Sequence, residues 1–300
     1  RIRMKLGRIL TAMITPFDAQ GELDLGEAAR IATWLVERGN DGLVVAGTTG
    51  EGPTLSVSER LALFEAVKKA VGDRASVIAN TGGSDTRAAV ELTRDAQAAG
   101  ADGILSVVPF YSKPTQDGML GHFGEISKST KLPIIVYNIP GRTGVNMLPE
   151  TLLELARRHA NISGVKESSG DIAQFGDILR DRPSGFTFWC GDDHLFLASL
   201  ALGADGVVGV ASHFCSREYV AMFEAMQQGR VAEAARLHFE LIPLFKALFA
   251  TTSPLAVKWG MNQFGFKAGE PRLPLGSMPE ALKPRVMKLI ERFKESAVGV

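Results

Sequence analysis

The stretch Asp85–Val108, DTRAAVELTRDAQAAGADGILSVV, contains the unit from which the fold can be predicted. Its first part, Asp85–Ala99, has the period of a helix, and its last part, Gly103–Val108, is a short apolar run. The apolar stripe of that helix comprises Ala89, Leu92 and Ala96. A strand that is apolar on both faces and follows an amphipathic helix is typical of a parallel sheet covered by helices. Gly100 stands at the joint, where glycine readily adopts the left-handed conformation that ends a helix.

This unit recurs along the chain. Helical periodicity is also clear in Asp24–Arg38 and Ser58–Val71, and the joint Gly-x-Asp-Gly or Gly-Asn-Asp-Gly returns at 39–42 and 203–206. The right-handed crossovers between parallel strands are compatible with two α/β architectures, an open doubly wound sheet and a closed barrel. Eight predicted strands favour the closed barrel, the (β/α)8 TIM barrel. The predicted strands are Ile9–Ile14, Gly42–Ala46, Ser76–Ala79, Gly103–Val108, Ile134–Tyr137, Ile162–Val165, Thr187–Cys190 and Gly206–Val210.

The strand pattern stops after about Phe214, and only helical patterns follow. We therefore predict a catalytic barrel over residues 1–229 and a C-terminal helical domain over residues 230–300, packed on the barrel or on a neighbouring subunit. The predicted late helices are Arg217–Gln228, Val231–Phe249, Ser253–Phe264 and Pro279–Glu295, the last with a proline in its first turn.

Composition narrows the class of protein. The chain has 300 residues with 33 Lys and Arg against 33 Asp and Glu, so it lacks the basic excess typical of nucleic-acid-binding domains. No apolar run approaches the roughly 18 residues needed to cross a membrane. The two cysteines, Cys190 and Cys215, are expected to be buried free thiols. We therefore expect a cytoplasmic protein that binds neither nucleic acid nor membrane.

Lys166 is the most informative single residue. It ends the sixth apolar run, and the Gly/Ser-rich turn 167–170 follows. A lysine at this position either extends to solvent or lies desolvated in a pocket, where burial disfavours the ammonium form. A neutral lysine amine attacks carbonyl compounds and forms a Schiff base. The second alternative predicts carbonyl chemistry that needs neither a metal nor an organic cofactor.

Other polar residues follow neighbouring strands at the end of the barrel where TIM-barrel active sites lie. Thr48 and Thr49 stand between glycines in the run 47–52, GTTGEG, which suits either a carboxylate-binding backbone nest or an ordinary glycine-rich turn. Tyr137 ends the fifth strand, where its phenol can enter the pocket. Tyr111, after the fourth strand, is either an acid/base phenol or a packing residue.

Arg142 and the two aspartates after strand seven complete the candidates. Arg142 lies in a Gly/Pro loop and either binds a carboxylate through its planar guanidinium or remains solvated at the surface. Asp192 fits a helix N-cap, and Asp193 fits the favourable position beside the positive end of the same helix. The five histidines are scattered without ligand spacing, so we predict no metal site.

Three motifs together resemble a known family. They are GTTGE at 47–51, YNIPGRTG at 137–144 and GVKESSGD at 164–171. The chain is similar to the dihydrodipicolinate synthase (4-hydroxy-tetrahydrodipicolinate synthase) family. That family lies within the superfamily of pyruvate-dependent class I aldolases that includes N-acetylneuraminate lyase. The resemblance extends from about Thr11 to Leu275, essentially the whole chain.

The resemblance implies a reaction and roles for the residues. The family condenses pyruvate with L-aspartate 4-semialdehyde to give 4-hydroxy-tetrahydrodipicolinate, the first committed step of diaminopimelate and lysine biosynthesis. It is typically a homotetramer, a dimer of tight dimers, and needs no cofactor beyond the covalent imine with pyruvate. By this resemblance, Lys166 forms the imine, and Tyr137, Thr48 and Tyr111 form a proton relay in which Tyr111 enters the neighbouring subunit's site. Thr49, Gly191 and the Val208 backbone are expected to bind pyruvate. Arg142 is expected to bind the carboxylate of the semialdehyde.

Departures from the family pattern lead to one further expectation and leave alternatives open. Members inhibited by L-lysine carry His, His, Glu and Tyr where this chain has Val57, Arg60, Ala88 and Phe110, so we expect weak or absent inhibition. Cys190 replaces a usual serine, which leaves room for a sister aldolase that acts on a sugar acid or hydroxy-oxo acid. A barrel that only binds an oxo acid is the third alternative.

Overall fold

A closed barrel of eight parallel strands forms the centre of the molecule, and the strands follow one another around it in chain order. The structure is a computed structural model, and it describes residues 6–294. The predicted TIM barrel is thus confirmed. The strands are β1 Ile9–Ala12, β2 Gly42–Val45, β3 Ser76–Asn80, β4 Gly103–Val107, β5 Ile134–Asn138, β6 Ile162–Glu167, β7 Thr187–Cys190 and β8 Gly206–Gly209.

Helices surround the barrel and continue beyond it. They are α1 Leu25–Glu37, α2 Val57–Val71, α3 Thr86–Ala98, α4 Gln116–Ser129, α5 Pro140–Thr143, α6 Pro149–Arg158, α7 Ile172–Asp181, α8 Phe196–Ala201, α9 Ser212–Gln227, α10 Val231–Leu248, α11 Leu255–Gln263 and α12 Lys283–Ile290. Single 3₁₀ turns occur at Gly52–Thr54, Asp193–Leu195, Glu280–Leu282 and Glu291–Phe293. Within residues 6–294, no helix is both long and apolar enough to cross a membrane.

The repeating unit has the local structure that its sequence predicts. Asp85 caps α3 by accepting a hydrogen bond from the Arg87 backbone N–H at 2.8 Å. Gly100 has a φ of +85°, the left-handed conformation expected at the joint. Asp102 accepts the Val77 N–H at 2.8 Å and the Lys68 amine at 2.9 Å, which fixes the start of β4 against β3 and α2. The Asp in the joint therefore ties neighbouring units together.

Alternation along each strand separates two apolar regions. Side chains that point outward pack against the helices, and side chains that point inward fill the barrel. The inward cluster comprises Leu6, Leu10, Ala12, Val44, Ile78, Leu105, Ile135, Tyr137, Trp189 and Val208. Because strands are parallel and in register, an inward residue on one strand lies beside an inward residue on the next.

The C-terminal helices pack on the barrel helices, and they share the outer apolar cluster with them. The single helix expected from Pro279 is instead a 3₁₀ turn, the helix α12 and a second 3₁₀ turn, because Pro284 occupies the first turn of α12. Its predicted end, Glu295, lies outside the described residues. The division into domains at residues 229 and 230 stays a prediction about the chain.

Candidate active site

Lys166 and Tyr137 form the centre of the candidate site. They are direct partners in the register of β5 and β6, close to the carboxyl ends of both strands. The Lys166 amine nitrogen lies 4.1 Å from the centroid of the Tyr137 ring. Only 6% of Lys166 and 5% of Tyr137 is exposed. The lysine therefore lies inside the barrel and does not extend to solvent.

Burial changes the acid–base chemistry of this lysine. It lowers the pKa of Lys166 to about 8 from the ordinary value of 10.5, because the ammonium form loses hydration. The Asp193 carboxylate acts against burial and raises the pKa of Lys166, whereas the Arg142 guanidinium lowers this pKa further. The neutral amine, which is the state that a nucleophile requires, is therefore far more populated near physiological pH than in an ordinary lysine.

Tyr137 is protonated under the same conditions. Burial raises the pKa of its phenol to about 12, while the Arg142 charge and the neighbouring Ser168 hydroxyl act to lower it. The phenol is therefore a hydrogen-bond donor, and it is carried on the ring that lies 4.1 Å from the lysine amine. This state suits a residue that passes protons to and from a bound substrate.

Gly191 provides the space in which the lysine side chain lies. A Cβ atom at this position would lie 1.9 Å from the Ser168 hydroxyl oxygen and 3.0 Å from Cε of Lys166. The Gly191 N–H donates to the Glu167 carbonyl at 2.8 Å, which fixes the backbone beside β6. Any larger residue here must displace Ser168 or the lysine stem, so glycine is needed for packing.

The floor of the site is apolar. Val208 is 1% exposed and belongs to the same inward cluster as Tyr137 and Trp189. Trp189 is the register partner of Lys166 on β7, and its indole N–H donates to the Gly7 carbonyl at 2.9 Å. A closed floor excludes water below the amine, which explains the strength of the desolvation.

The Thr48–Thr49 turn follows β2 at the same end of the barrel. Thr49 is 5% exposed, whereas Thr48 is half-buried. Two backbone hydrogen bonds close the turn: the Glu51 N–H donates to Thr48 at 3.1 Å, and the Gly52 N–H donates to Gly47 at 3.0 Å. The two hydroxyls are therefore carried on an ordered turn.

Arg142 and Tyr111 lie on two connected loops above β4 and β5. Arg142 is exposed on α5, yet its charge acts on both Lys166 and Tyr137. The Tyr111 N–H donates to the Thr143 carbonyl at 3.2 Å, which joins the two loops. Tyr111 is 93% exposed and has a φ of +71°. Its ring does not pack within the described part of this chain, so the packing alternative considered for Tyr111 does not hold there.

Asp193 lies in the first turn after strand β7, as predicted, but its side chain has further partners. Asp192 caps its turn by accepting the His194 N–H at 2.8 Å, as expected. Asp193, however, is 1% exposed and accepts the Ala211 N–H at 3.0 Å and the Tyr219 hydroxyl at 2.8 Å. It therefore binds the start of α9, because β7 and β8 are neighbours in the barrel. Its position in the first turn agrees with our expectation, and its contacts with α9 are an addition that the sequence did not predict.

Sequence reasoning missed two residues of the site, Ser168 and Trp189, and it missed the effect of Asp193 on the pKa of Lys166. Ser168 could have been found, because residues two apart on an extended chain face the same side and Lys166 is two residues earlier. The contribution of Asp193 depends on the packing of β7 against β8, which has no local signal. Across residues 6–294, no group of three or more His, Cys, Asp or Glu side chains is arranged to hold a metal ion.

Comparisons with known proteins agree with this geometry. The model of the "Dihydrodipicolinate synthetase family" matches residues 5–293. A 4-hydroxy-tetrahydrodipicolinate synthase of Moorella thermoacetica is 53% identical over 272 residues, 91% of this chain and 93% of that protein. A synthase of the same name from Heliobacterium modesticaldum is 47% identical over 97% of this chain and 96% of that protein. The crystal structure of dihydrodipicolinate synthase from Cyanidioschyzon merolae with lysine bound has a TM-score of 0.94 and 41% identity, covering 96% of this chain and 98% of that one.

Proposed function

The chain belongs to the dihydrodipicolinate synthetase family, and on this premise we propose that it condenses pyruvate with L-aspartate 4-semialdehyde to give 4-hydroxy-tetrahydrodipicolinate. This reaction is the first committed step of diaminopimelate and lysine biosynthesis. The observation that carries the proposal is the desolvated Lys166 amine beside the Tyr137 ring. A Schiff-base mechanism needs both a nucleophilic amine and a nearby proton donor, and the two residues have those properties.

Lys166 begins the proposed reaction. Its neutral amine attacks the keto carbon of pyruvate, and loss of water from the resulting carbinolamine leaves an imine. The protonated imine withdraws electrons, so the methyl carbon loses a proton and becomes the nucleophilic carbon of an enamine. That carbon attacks the aldehyde carbon and forms the new carbon–carbon bond. The amino group of the second substrate then displaces Lys166 and closes the ring, which frees the enzyme.

Proton transfers accompany each of these steps. Tyr137, protonated at neutral pH, gives a proton to the departing hydroxyl and later receives one. Thr48 and Tyr111 extend this path as a relay, with Tyr111 acting in the site of a neighbouring subunit. The near-complete exposure of Tyr111 and the short turn that carries it support this arrangement.

Substrate carboxylates are bound at two places. The Thr49 hydroxyl and the backbone of Val208 bind the pyruvate carboxylate, and Gly191 lines the site beside the lysine stem. Arg142 binds the carboxylate of L-aspartate 4-semialdehyde. Its charge already acts on Lys166 and Tyr137, which supports a location next to the reacting atoms.

The assembly and location belong to the same proposal. We infer a homotetramer made of two tight dimers, because a shared Tyr111 needs a neighbouring copy and large apolar side chains such as Phe239, 65% exposed, remain uncovered. No organic cofactor or metal takes part, because the imine with pyruvate activates the substrate. Two buried free cysteines suit a reducing, cytoplasmic location.

Substrate profiling tests the proposal. The purified protein is assayed with pyruvate and a panel of aldehydes, and a borohydride-treated mixture with pyruvate is examined by mass spectrometry. We expect a pyruvate adduct on Lys166 and the highest kcat/KM with L-aspartate 4-semialdehyde. A preference for a sugar-derived or hydroxy-oxo aldehyde would identify a sister aldolase instead, and absence of an adduct would identify an oxo-acid binder.

A pair of arginine variants sharpens the test. Arg142→Ala removes a charge-assisted contact and should reduce kcat/KM for the semialdehyde about 10- to 100-fold, with the pyruvate adduct preserved. Arg180→Ala is the matched control, since Arg180 is an exposed arginine paired with Asp181 on α7. Equal effects of the two substitutions would count against the assigned role of Arg142.

A further inference from the structure

The Thr48–Thr49 turn is attached to the C-terminal helices by a buried ion pair. Glu51 Oε1 and Lys258 Nζ are 2.6 Å apart, and both side chains are fully buried. Glu51 Oε2 accepts the backbone N–H of Arg272 at 2.8 Å. Lys258 lies on α11, so both contacts of the carboxylate come from the segment that follows the barrel. More than two hundred residues separate Glu51 from these partners in the sequence.

The backbone of Glu51 is in a conformation that its side-chain contacts help to maintain. Its φ is +54°, in the left-handed region that non-glycine residues disfavour. Its N–H donates to the Thr48 carbonyl at 3.1 Å, and the Thr15 hydroxyl donates to the neighbouring Gly50 carbonyl at 2.6 Å. A shift of Glu51 is therefore transmitted directly to Thr48. Left-handed residues persist where the surrounding structure determines them, and such residues are frequent at functional sites.

Stability alone does not explain the pair. Removing two charges from water is costly, and well-packed apolar residues in place of a buried ion pair are often as stable. Here the amine also lies 4.1 Å from the centroid of the Phe17 ring. An apolar pair could not make directional contacts at both oxygens of a carboxylate. These contacts define the position of the turn.

We propose that Glu51 and Lys258 are positioning residues that hold the Thr48–Thr49 turn in the geometry that binds the pyruvate carboxylate. The C-terminal helical segment thereby completes a site whose reacting groups all lie on the barrel. This inference rests on the proposed function. It assigns no contact between the pair and the substrate, since both side chains are fully buried.

A double variant tests the inference and a second one controls for it. Glu51→Gln with Lys258→Met removes both charges at nearly constant volume and avoids an unpaired buried charge. Glu27→Gln with Arg30→Met removes an ion pair within α1, and both of its members also contact the same C-terminal segment. Glu27 accepts the Lys267 N–H at 2.6 Å, and Arg30 donates to the Gly265 carbonyl at 2.7 Å, but neither contacts the turn.

The expected result is selective. The Glu51/Lys258 variant should raise the KM for pyruvate about tenfold and leave the KM for the aldehyde within about twofold, because only the pyruvate site depends on the turn. At saturating pyruvate, the borohydride adduct on Lys166 should still form. The Glu27/Arg30 variant should lower the melting temperature and leave both KM values unchanged.

Two outcomes would overturn the inference: an unchanged KM for pyruvate in the Glu51/Lys258 variant, or an equal rise in the Glu27/Arg30 variant. If the Glu51/Lys258 variant does not fold, Glu51→Asp decides, because it keeps the charge but withdraws the carboxylate from Lys258. It should also raise the KM for pyruvate, and a wild-type value would overturn the inference. Failure of the proposed function is distinct, because the wild-type protein itself would then form no adduct or turn over no aldehyde.

Discussion

The Lys166 amine lies 4.1 Å from the centroid of the Tyr137 ring because the two residues are direct partners across β5 and β6. The electron-rich ring face attracts an ammonium group, whereas burial disfavours it. Burial prevails, since the pKa of Lys166 falls to about 8. The same ring carries the phenol that can exchange protons with a substrate on the amine.

The rate of imine formation should depend on pH through the state of Lys166. Only the neutral amine attacks pyruvate, and its fraction increases as the pH rises through about 8. The rate of borohydride trapping with pyruvate should therefore increase up to about pH 8 and level off above it. A rate that keeps rising to the ordinary lysine pKa of 10.5 would contradict the buried environment.

Replacement of Lys166 by methionine should abolish activity and stabilise the protein at neutral pH. The difference between a pKa of 10.5 and about 8 corresponds to about 3 kcal/mol. At neutral pH, burial of the ammonium lowers the free energy of unfolding by this amount. Between these values the unfolded lysine is protonated and the folded one is neutral, so wild-type stability increases with pH there.

Denaturant unfolding at several pH values measures this effect. The stabilisation by Lys166→Met should be present at pH 7 and should diminish as the pH approaches 10.5. Lys246→Met, at an exposed position of α10, is the control and should change the free energy of unfolding by less than about 0.5 kcal/mol. A destabilised Lys166→Met protein at pH 7 would argue against a desolvated ammonium.

Tyr137→Phe should separate proton transfer from imine formation. The ring remains beside Lys166, but the phenol is lost, so kcat/KM should fall by about 10²-fold or more while the pyruvate adduct still forms. Tyr219→Phe is a matched control, since Tyr219 is also fully buried but donates to Asp193 at 2.8 Å. It should lower the melting temperature and reduce activity less than about tenfold. Similar losses in both variants would remove Tyr137 from the relay.

Mixing two inactive proteins should restore activity if Tyr111 serves a neighbouring subunit. A Tyr111→Phe subunit keeps Lys166, and a Lys166→Ala subunit keeps Tyr111, so a mixed dimer contains one complete site. After dissociation and reassociation, an equal mixture should recover up to about a quarter of wild-type specific activity. Each variant alone, treated in the same way, is the control. No recovery despite subunit exchange would mean that Tyr111 does not act across an interface.

L-Lysine should inhibit weakly or not at all. Ala88 is exposed and has no carboxylate to receive the ammonium groups of lysine. Arg60, where inhibited members carry a histidine, has a guanidinium of the same charge as those ammonium groups. The Arg60 guanidinium donates to the Gly52 carbonyl, so it is already engaged in the protein. Titration of the steady-state rate with L-lysine measures the response. Half-inhibition well below a millimolar concentration would contradict the prediction.

Strand positions were predictable, but the end of β6 was not. The predicted strand stops at Val165, where the apolar run ends, whereas β6 continues to Glu167. Lys166 continues the strand because it faces the barrel interior, and Glu167 does so because Asn138 donates to its carboxylate at 3.1 Å. Polar residues stay in a strand when their partners are on a neighbouring strand, and a hydrophobicity pattern does not contain that information.

The sequence by itself determined the repeating helix–strand unit, the barrel and the placement of Lys166, Tyr137 and Thr48 at one end of the barrel. These features are local, since periodicity and turn residues act over a few positions. Only the tertiary structure decided the pKa of Lys166, the hydrogen-bond partners of Asp193 and the pairing of Glu51 with Lys258. Burial and distant contacts come into existence when the eighth strand closes on the first and the last helices pack on the barrel, so no local stretch of sequence determines them.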